Sequence, residues 1–234
     1  MSSPSRQPMM NVKKRVLIAL GFTLSAVLTT SCGGISVRVG SPRIEAWFAA
    51  DDLVGKRIAV APHIVPVDLE FDHQGFDVRI YDSVHDHLGE SVVLLLDVLS
   101  TDIGSRLVAA RGMECDYVVI LTLEDLRMEQ NESTSSETNS GGKIIITTTY
   151  RSTTTVEARL KIYRVSDGAV AFEVFGQGRE SDEDWEDDED GDFPGWLIKA
   201  LFFSAGFPPL PDPGEIASEL VDGLVEVIPQ GERR

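Results

Sequence analysis

The spacing of apolar residues predicts strands and helices along most of the chain after about residue 55. The stretch KRIAVAPHIV, residues 56–65, has apolar positions typical of a buried strand. Residues 66–87 are polar and irregular, with Gly75 and scattered acidic residues, and no helix or strand is predicted there. Residues 88–112, LGESVVLLLDVLSTDIGSRLVAARG, place apolar side chains three and four apart, which predicts one helix ending near Gly112.

The second half of the chain is predicted to be rich in strands. Residues 115–129, CDYVVILTLEDLRME, form the first of these, and residues 129–142 follow as a polar low-complexity loop. Residues 143–165 are a long β-rich run, and within it residues 156–163 alternate between apolar and polar, so one face is buried and the other is exposed to water. Asp167-Gly168 is typical of a tight hairpin turn, and residues 169–180, AVAFEVFGQGRE, are the returning strand.

A last amphipathic helix, EIASELVDGLVEVI, closes the pattern, with Pro213 and Glu215 suited to its first turn. The order strand, helix, strand, long hairpin, helix predicts an α/β protein of the α+β sandwich type. We expect a mixed sheet with a long β-hairpin and helices packed on one face. The predicted organisation is a signal peptide (1–31), a tether and approach segment (32–54), an α/β core (55–179), an acidic run plus an apolar, Pro-rich insert (180–212), and the closing helix (213–228).

The amino-terminal segment has the layout of an export signal. Lys13, Lys14 and Arg15 precede an apolar run at 16–28, which is shorter than the roughly 20 residues that a spanning helix needs. Small residues at 29–31 separate this run from the first cysteine. Starts at Met1, Met9 or Met10 are all compatible with this layout.

The stretch LTTSCGG resembles the end of a bacterial lipoprotein signal, in which the cysteine after the cut receives acyl chains such as palmitate. The resemblance implies that Cys32 anchors the protein to the lipid bilayer. Because Gly33 follows it, rather than the Asp typical of retention at the inner membrane, the resemblance favours the outer membrane. Two alternatives stay open: an ordinary signal-peptidase cut after Ser31, and an uncleaved anchor.

Charge narrows the range of partners. The formal net charge is −17, and removing the segment before Cys32 leaves 17 basic against 38 acidic residues, or −21. Such a surface repels phosphates, so a nucleic-acid partner is excluded. No basic cluster is visible after residue 15, and no cofactor is implied. The other cysteine, Cys115, is predicted to be a small buried apolar residue without a disulfide.

The acidic run holds ten carboxylates between residues 180 and 192 and no basic residue. Like charges resist compaction, which favours a solvated loop. Calcium binding and contact with a basic protein are the alternatives. Glu186, Asp188 and Asp190, followed by Gly191, match the start of a calcium loop, but Leu197 stands where its twelfth residue should be Glu.

The apolar segment FPGWLIKALFFSAGF follows the acidic run. It is either a core helix that covers the sheet or a contact with a partner or a membrane surface. It is too short to span a bilayer. The candidate partner-binding residues are Trp196, Leu197, Phe202 and Phe203.

The sequence has few residues or motifs that are typical of an enzyme active site. His85 and His87 would share one face if their segment were a strand, but a zinc site needs three or four ligands. No Gly-x-Ser-x-Gly, His-Glu-x-x-His, phosphate-loop or dinucleotide fingerprint is present. We therefore predict that the protein is not an enzyme.

The stretches KRIAVAP, RLVAARGMECDYVVILTLED and TVEARLKIYRVSDGAVAFEVFGQG, together with the closing helix, resemble a group of envelope proteins. The group includes curli-secretion lipoproteins, the amino-terminal domain of TolB-like proteins, and penicillin-binding-protein activator lipoproteins. The resemblance implies a periplasm-facing module that binds an envelope protein in an assembly, secretion or cell-wall machine. Edge strands leave homo-oligomerisation open. A calcium-responsive structural protein and a metal-dependent hydrolase are the alternatives.

Overall fold

The computed structural model describes residues 34–71, 74–98, 100–189 and 207–231. Within these ranges the chain forms seven strands and three α-helices, joined by two short 3-10 turns at Ala50–Leu53 and Gly89–Ser91. The elements are β1 (Ser36–Val39), β2 (Arg43–Ile44), β3 (Ile58–Val60), α1 (Phe76–Leu88), β4 (Val92–Leu95), α2 (Ile103–Gly112), β5 (Tyr117–Thr138), β6 (Ile144–Arg164), β7 (Val170–Glu189) and α3 (Pro213–Glu226).

The strands form one mixed sheet in the order β1-β7-β6-β5-β3-β4, with β2 also beside β7. Strand β3 is parallel to β4 and β5, and the remaining pairs are antiparallel. Ile58, Ala59 and Val60 of β3 are all fully buried, as expected for a central strand with both faces covered. The predicted α+β fold with a mixed sheet and a long hairpin is confirmed.

Alternation along the strands builds a core on each face of the sheet. Helices α1 and α3 cover the larger core, where Ile80 and Leu220 pack with Val119 and Leu160. Helix α2 lies on the opposite face, in a smaller core that includes Ala110 and the buried Cys115. Two of the three described helices therefore share the predicted face, and α2 covers the other.

Residues 88–112 do not form the single helix that their spacing predicts. Gly89, with φ 68°, ends α1, and Val92–Leu95 then pairs in parallel with β3. Apolar runs of four or five residues fit a strand as well as a helix, and here the open edge of β3 decides between them. Helix α2 starts only at Asp102, whose side chain accepts a hydrogen bond from the Ser105 amide at 2.7 Å.

Residues 66–87, where no helix or strand is predicted, hold all but the last residue of helix α1. Phe76, Ile80 and Val84 recur every four residues and are fully buried, while polar residues occupy the outer face. Helix α3 begins where predicted. Asp212 caps it by accepting from the Gly214 amide at 2.8 Å, and Pro213 occupies the first turn.

Two polar segments predicted to be loops are strands. Residues 129–138 continue β5 and pair with β6 in register up to Thr138↔Ile144. Residues 180–189, the first part of the acidic run, continue β7 and pair with residues 145–154. Backbone pairing to a Thr-rich central strand of high β-propensity outweighs the low hydrophobicity of its neighbours.

The amino-terminal boundary of the core also lies earlier than predicted. Strands β1 and β2 fall within the predicted approach segment and pair with residues 176–179 and 172–173 of β7. Within the described part of the chain, no helix is long and apolar enough to cross a membrane. The export signal at 1–31 and Cys32 lie outside the described residues.

Candidate interaction surface

Three strands continue well beyond the packed core and form a ribbon, which we define as residues 124–155 and 180–189. Strand β6 is its centre, β5 and β7 are its edges, and the turn at 139–143 is its tip. The β5 side chains from Glu129 to Thr138 are all exposed. At the rise of an extended strand, β5 reaches roughly 45 Å past the core.

Both edges of the ribbon lack a strand partner among the described residues. Strand β3 pairs only with residues 117–119 of β5. In the described part of the chain, the last backbone hydrogen bond on that side beyond β3 is donated by the Leu123 amide to the Ile64 carbonyl oxygen at 2.9 Å. On the other edge, β1 covers β7 only as far as Arg179. Unpaired N–H and C=O groups along such edges are templates for adding another strand.

The ribbon carries much of the negative charge of the chain. It holds 13 acidic side chains against three basic ones, Arg127, Lys143 and Arg151. Eight of the acidic residues lie on β7 between Glu180 and Glu189. Like charges on both edges oppose pairing of one ribbon with another and favour a cationic partner.

One face at the base of the ribbon is held by ion pairs across the strands. Arg159 of β6 bonds Glu124 of β5 and, at 2.9 Å, Glu173 of β7, and Lys161 lies 3.2 Å from the same Glu173 carboxylate. Burial alone would raise the pKa of Glu173, but hydrogen bonds from Arg159 and Lys161 outweigh it and hold that pKa below its usual range. These bonds tie all three strands together where they leave the core.

The other face of β6, five to seven residues closer to the tip, is covered by the strap, residues 207–212, which leads into α3. Ser152 and the fully buried Thr154 donate hydroxyl hydrogen bonds of 2.5 and 2.9 Å to the carbonyl oxygens of Pro208 and Pro211. Phe207 packs edge-on against Tyr150 with the ring centroids 5.4 Å apart. The strap is the part of the predicted 180–212 insert that the structure joins to the ribbon.

Helix α3 approaches β7 closely because two alternating residues of the strand are glycines. A Cβ atom at Gly178 would lie 2.7 Å from Ile216 Cγ2, and one at Gly176 would lie 2.8 Å from Leu220 Cδ1. This contact was not predicted from the sequence. Its signal was the i, i+2 pair of glycines in a strand, which marks close backbone approach.

The amino-terminal segment enters the fold at the base of the ribbon. Gly34 lies against Glu180, so that a Cβ atom at Gly34 would be 2.8 Å from Glu180 Oε1. Cys32 is two residues earlier, at most about 7 Å of extended chain away.

The other sequence candidates fall in different places. Trp196, Leu197, Phe202, Phe203 and Asp190 lie outside the described residues. Glu186 and Asp188 lie in the extended backbone of β7, paired with Thr148 and Ile146, rather than in a loop. Among the described side chains, no group of three His, Cys, Asp or Glu residues is placed to hold a metal ion.

The two histidines do not share a face, because their segment is helix α1 and not a strand. Residues two apart on a helix point in nearly opposite directions. His85 stacks on Tyr81 with the ring centroids 5.8 Å apart. His87 Nε2 lies 2.9 Å from the Ile228 carbonyl oxygen, and Gln230 donates to the His87 carbonyl at 3.0 Å. The structure therefore separates the residues proposed for a metal-dependent hydrolase.

The chain is similar to several solved structures, but only to a limited degree. No family model and no curated protein sequence matches the chain. It is similar to the PelC dodecamer from Paraburkholderia phytofirmans, with 13% identity and a TM-score of 0.40 over 85% of this chain and 99% of that one. It is similar to the lipoprotein GNA1162 from Neisseria meningitidis, with 12% identity and a TM-score of 0.28 over 62% and 92%. It is similar to the LpoB C-terminal domain from Salmonella enterica, with 9% identity and a TM-score of 0.30 over 61% and 87%. At these scores, no function follows from the likeness.

Proposed function

We propose that this protein is a lipid-anchored binding module of the bacterial envelope, held at the outer membrane through acylated Cys32 and facing the periplasm. The proposed activity is non-enzymatic: the ribbon binds an envelope protein. The observation that carries the proposal is the ribbon itself, whose two edges have no strand partner among the described residues.

Two further features support the proposal. The basic cluster, short apolar run and small residues before Cys32 have the layout of a lipoprotein signal. The ion pairs of Arg159 and the strap at 207–212 stabilise the base of the ribbon from opposite faces. A rigid, exposed strand edge gives main-chain affinity for an added strand, and side chains on the edge give selectivity.

The first experiment tests the anchor. Cells that express the wild-type protein or Cys32→Ala are labelled with radioactive palmitate, and the outer membrane is separated from the inner membrane. We expect label only in the wild type, in the outer-membrane fraction. Equal labelling of the two proteins would overturn the role of Cys32, and label in the inner membrane would overturn the location.

The second experiment tests the ribbon. A photo-crosslinking amino acid replaces Met128, which is 52% exposed on the β5 edge, or Val108, which is 67% exposed on α2 far from the ribbon. Both sites present an exposed apolar side chain, so they differ in place rather than in character. We expect a discrete crosslinked protein from Met128 and none from Val108. The same products at both sites, or none at either, would contradict binding through the ribbon.

A further inference from the structure

A cavity of about 590 Å³ opens where the parallel strands β3 and β4 end and helices α1 and α2 begin. Crevices outside the carboxyl ends of parallel strands are common ligand sites in α/β sheets. The walls of this cavity are partly apolar and partly charged. The side chains that matter here are Val65, Leu95 and Val98 on the apolar side, and His63, Asp77 and Arg106 on the polar side.

Arg106 is the unusual group in this wall, because its side chain is 1% exposed. Its Nε donates to the Ser100 carbonyl at 2.8 Å, and its Nη1 donates to the Pro62 carbonyl. In the described part of the chain, Nη2 makes no hydrogen bond and the guanidinium makes no ion pair within 4.0 Å. Because no fully buried side-chain nitrogen or oxygen in the same residues lacks a partner, Nη2 is the part of Arg106 that reaches the cavity. A buried guanidinium stays protonated, so one charged donor in the cavity wall is left for an outside acceptor.

The nearest acid, Asp77, is already occupied by other donors. The His63 amide donates to Asp77 Oδ1 at 2.6 Å, and the His63 ring Nδ1 lies 2.7 Å from the same oxygen. Burial alone would raise the pKa of Asp77, but the hydrogen bonds from His63 outweigh it and hold that pKa below its usual range. The edges of Phe71 and Phe76 fix the His63 ring. Asp77 thus remains ionised and bound to His63, and Arg106 keeps its unpaired donor.

We propose that this cavity binds a small monocarboxylate, with the carboxylate on Arg106 Nη2 and an aliphatic stem against Val65, Leu95 and Val98. The guanidinium selects an anion, because its Nη2 would contact the ligand directly, while the Asp77 carboxylate oxygen is already bonded to His63. Asp77 and Asp97 in the wall, together with the net charge of −17, oppose a second negative charge on the ligand. A phosphate dianion is therefore disfavoured. The proposal uses none of the ribbon residues and stands independently of the proposed function.

The test titrates the soluble protein, starting at Gly33, with straight-chain carboxylates from acetate to octanoate, followed by amide NMR shifts. We expect shifts at the residues that line the cavity, and affinity that rises roughly fourfold for each added methylene until the cavity is filled. Hexylamine and inorganic phosphate serve as ligand controls, and we expect no saturable shifts from either.

Variants locate the binding. Arg106→Gln removes the charge and should weaken hexanoate binding at least tenfold, and Val98→Trp should abolish it by filling the apolar wall without touching Arg106. Arg111→Gln is the matched control, because Arg111 is also on α2 and also donates to backbone carbonyls, those of Val165 and Ser166, outside this cavity. Equal binding in all three variants, tighter binding of hexylamine, or no saturable shift with any carboxylate would overturn the proposal. If Arg106→Gln does not fold, the Val98→Trp result decides.

Discussion

At the scale of single residues, the turn between β6 and β7 shows a local interaction that the sequence encodes fully. The hydrogen bonds from the Arg164 side chain and the Ala169 amide lower the pKa of Asp167 to about 2. Gly168, with φ 73°, adopts the left-handed conformation that the Asp-Gly pair predicts. The turn was predictable because all of its determinants lie within six residues of sequence.

The first prediction concerns this carboxylate. Because the folded pKa lies below the unfolded value, the contribution of Asp167 to stability is present above about pH 4 and is lost as pH falls through about 2. Arg164→Gln should raise the Asp167 pKa toward 3.8, though not fully, since the Ala169 amide bond remains. Carboxyl-carbon NMR titration measures this pKa directly, and an unchanged value in Arg164→Gln would refute the assignment.

The burial of Arg106 beside the cavity could not be predicted from the sequence around it. Within RLVAARG it looks like one of two equivalent helix arginines, Arg106 and Arg111. Its burial follows from Pro62 and Ser100, which come from the ends of β3 and of the loop after β4. The cavity was therefore invisible to reasoning from local pattern.

At the scale of elements, the contact of α3 with β7 depends on having no side chain at Gly178. Gly178→Ala would place a Cβ atom 2.7 Å from Ile216 Cγ2 and 3.2 Å from the Ile216 carbonyl oxygen. Because the helix backbone must move, we expect the free energy of unfolding to fall by about 1–3 kcal/mol. Urea unfolding followed by circular dichroism provides the measurement.

Gly112→Ala is the control for that change. Gly112 ends α2, and a Cβ atom there would meet nothing within 4 Å. We expect its free energy of unfolding to match the wild type or exceed it by at most about 1 kcal/mol, the helix-propensity difference between Gly and Ala in a helix interior. Equal destabilisation by the two substitutions would show that α3 does not depend on close contact at Gly178.

The strap at 207–212 gives a third prediction. Thr154→Val removes the hydroxyl that donates to the Pro211 carbonyl and leaves a buried acceptor unpaired, which should cost about 1–3 kcal/mol. Thr155→Val is the control, because it makes the same substitution between two β-branched residues on the opposite face of β6. It should lower the free energy of unfolding by less than about 0.5 kcal/mol. Phe207, Leu210 and Asp212 are the strap residues with an amide proton, since the other three are prolines. Faster amide exchange at these residues in the Thr154 variant alone would confirm the link, and equal exchange in both variants would exclude it.

At the scale of the whole molecule, the sequence predicted the α+β class, the closing helix and the buried Cys115, since each follows from apolar spacing. It did not predict the length of the ribbon, because polar residues 129–138 and 180–189 become strands through pairing with β6. Residues 92–95 were predicted to be helical but form strand β4. A short apolar run fits a helix or a strand equally well until the open edge of β3 is known. In each case the deciding interaction joins residues far apart in the chain.

The last prediction follows from the charge of the ribbon. Both ribbon edges lack a strand partner among the described residues, yet 13 acidic side chains against three basic ones make copies of the ribbon repel. Raising salt from about 0.01 M to about 1 M shortens the Debye length from roughly 30 Å to about 3 Å. We therefore expect the soluble form that starts at Gly33 to sediment as a monomer in low salt and to self-associate in high salt.

A shortened ribbon separates this effect from association elsewhere on the protein. Gln130 and Ser152 are cross-strand partners, so a two-residue Asn-Gly turn can replace residues 131–151. This variant keeps the hydrogen bond from Ser152 to the strap, but it lacks residues 131–138 of the β5 edge and the β6 partners of residues 183–189. Its sedimented mass should not depend on salt. Self-association of the full ribbon in low salt, or equal salt dependence in the shortened form, would show that the acidic edges do not control pairing. The expected outcome would mean that the negative charge keeps the edges open for a partner of opposite charge.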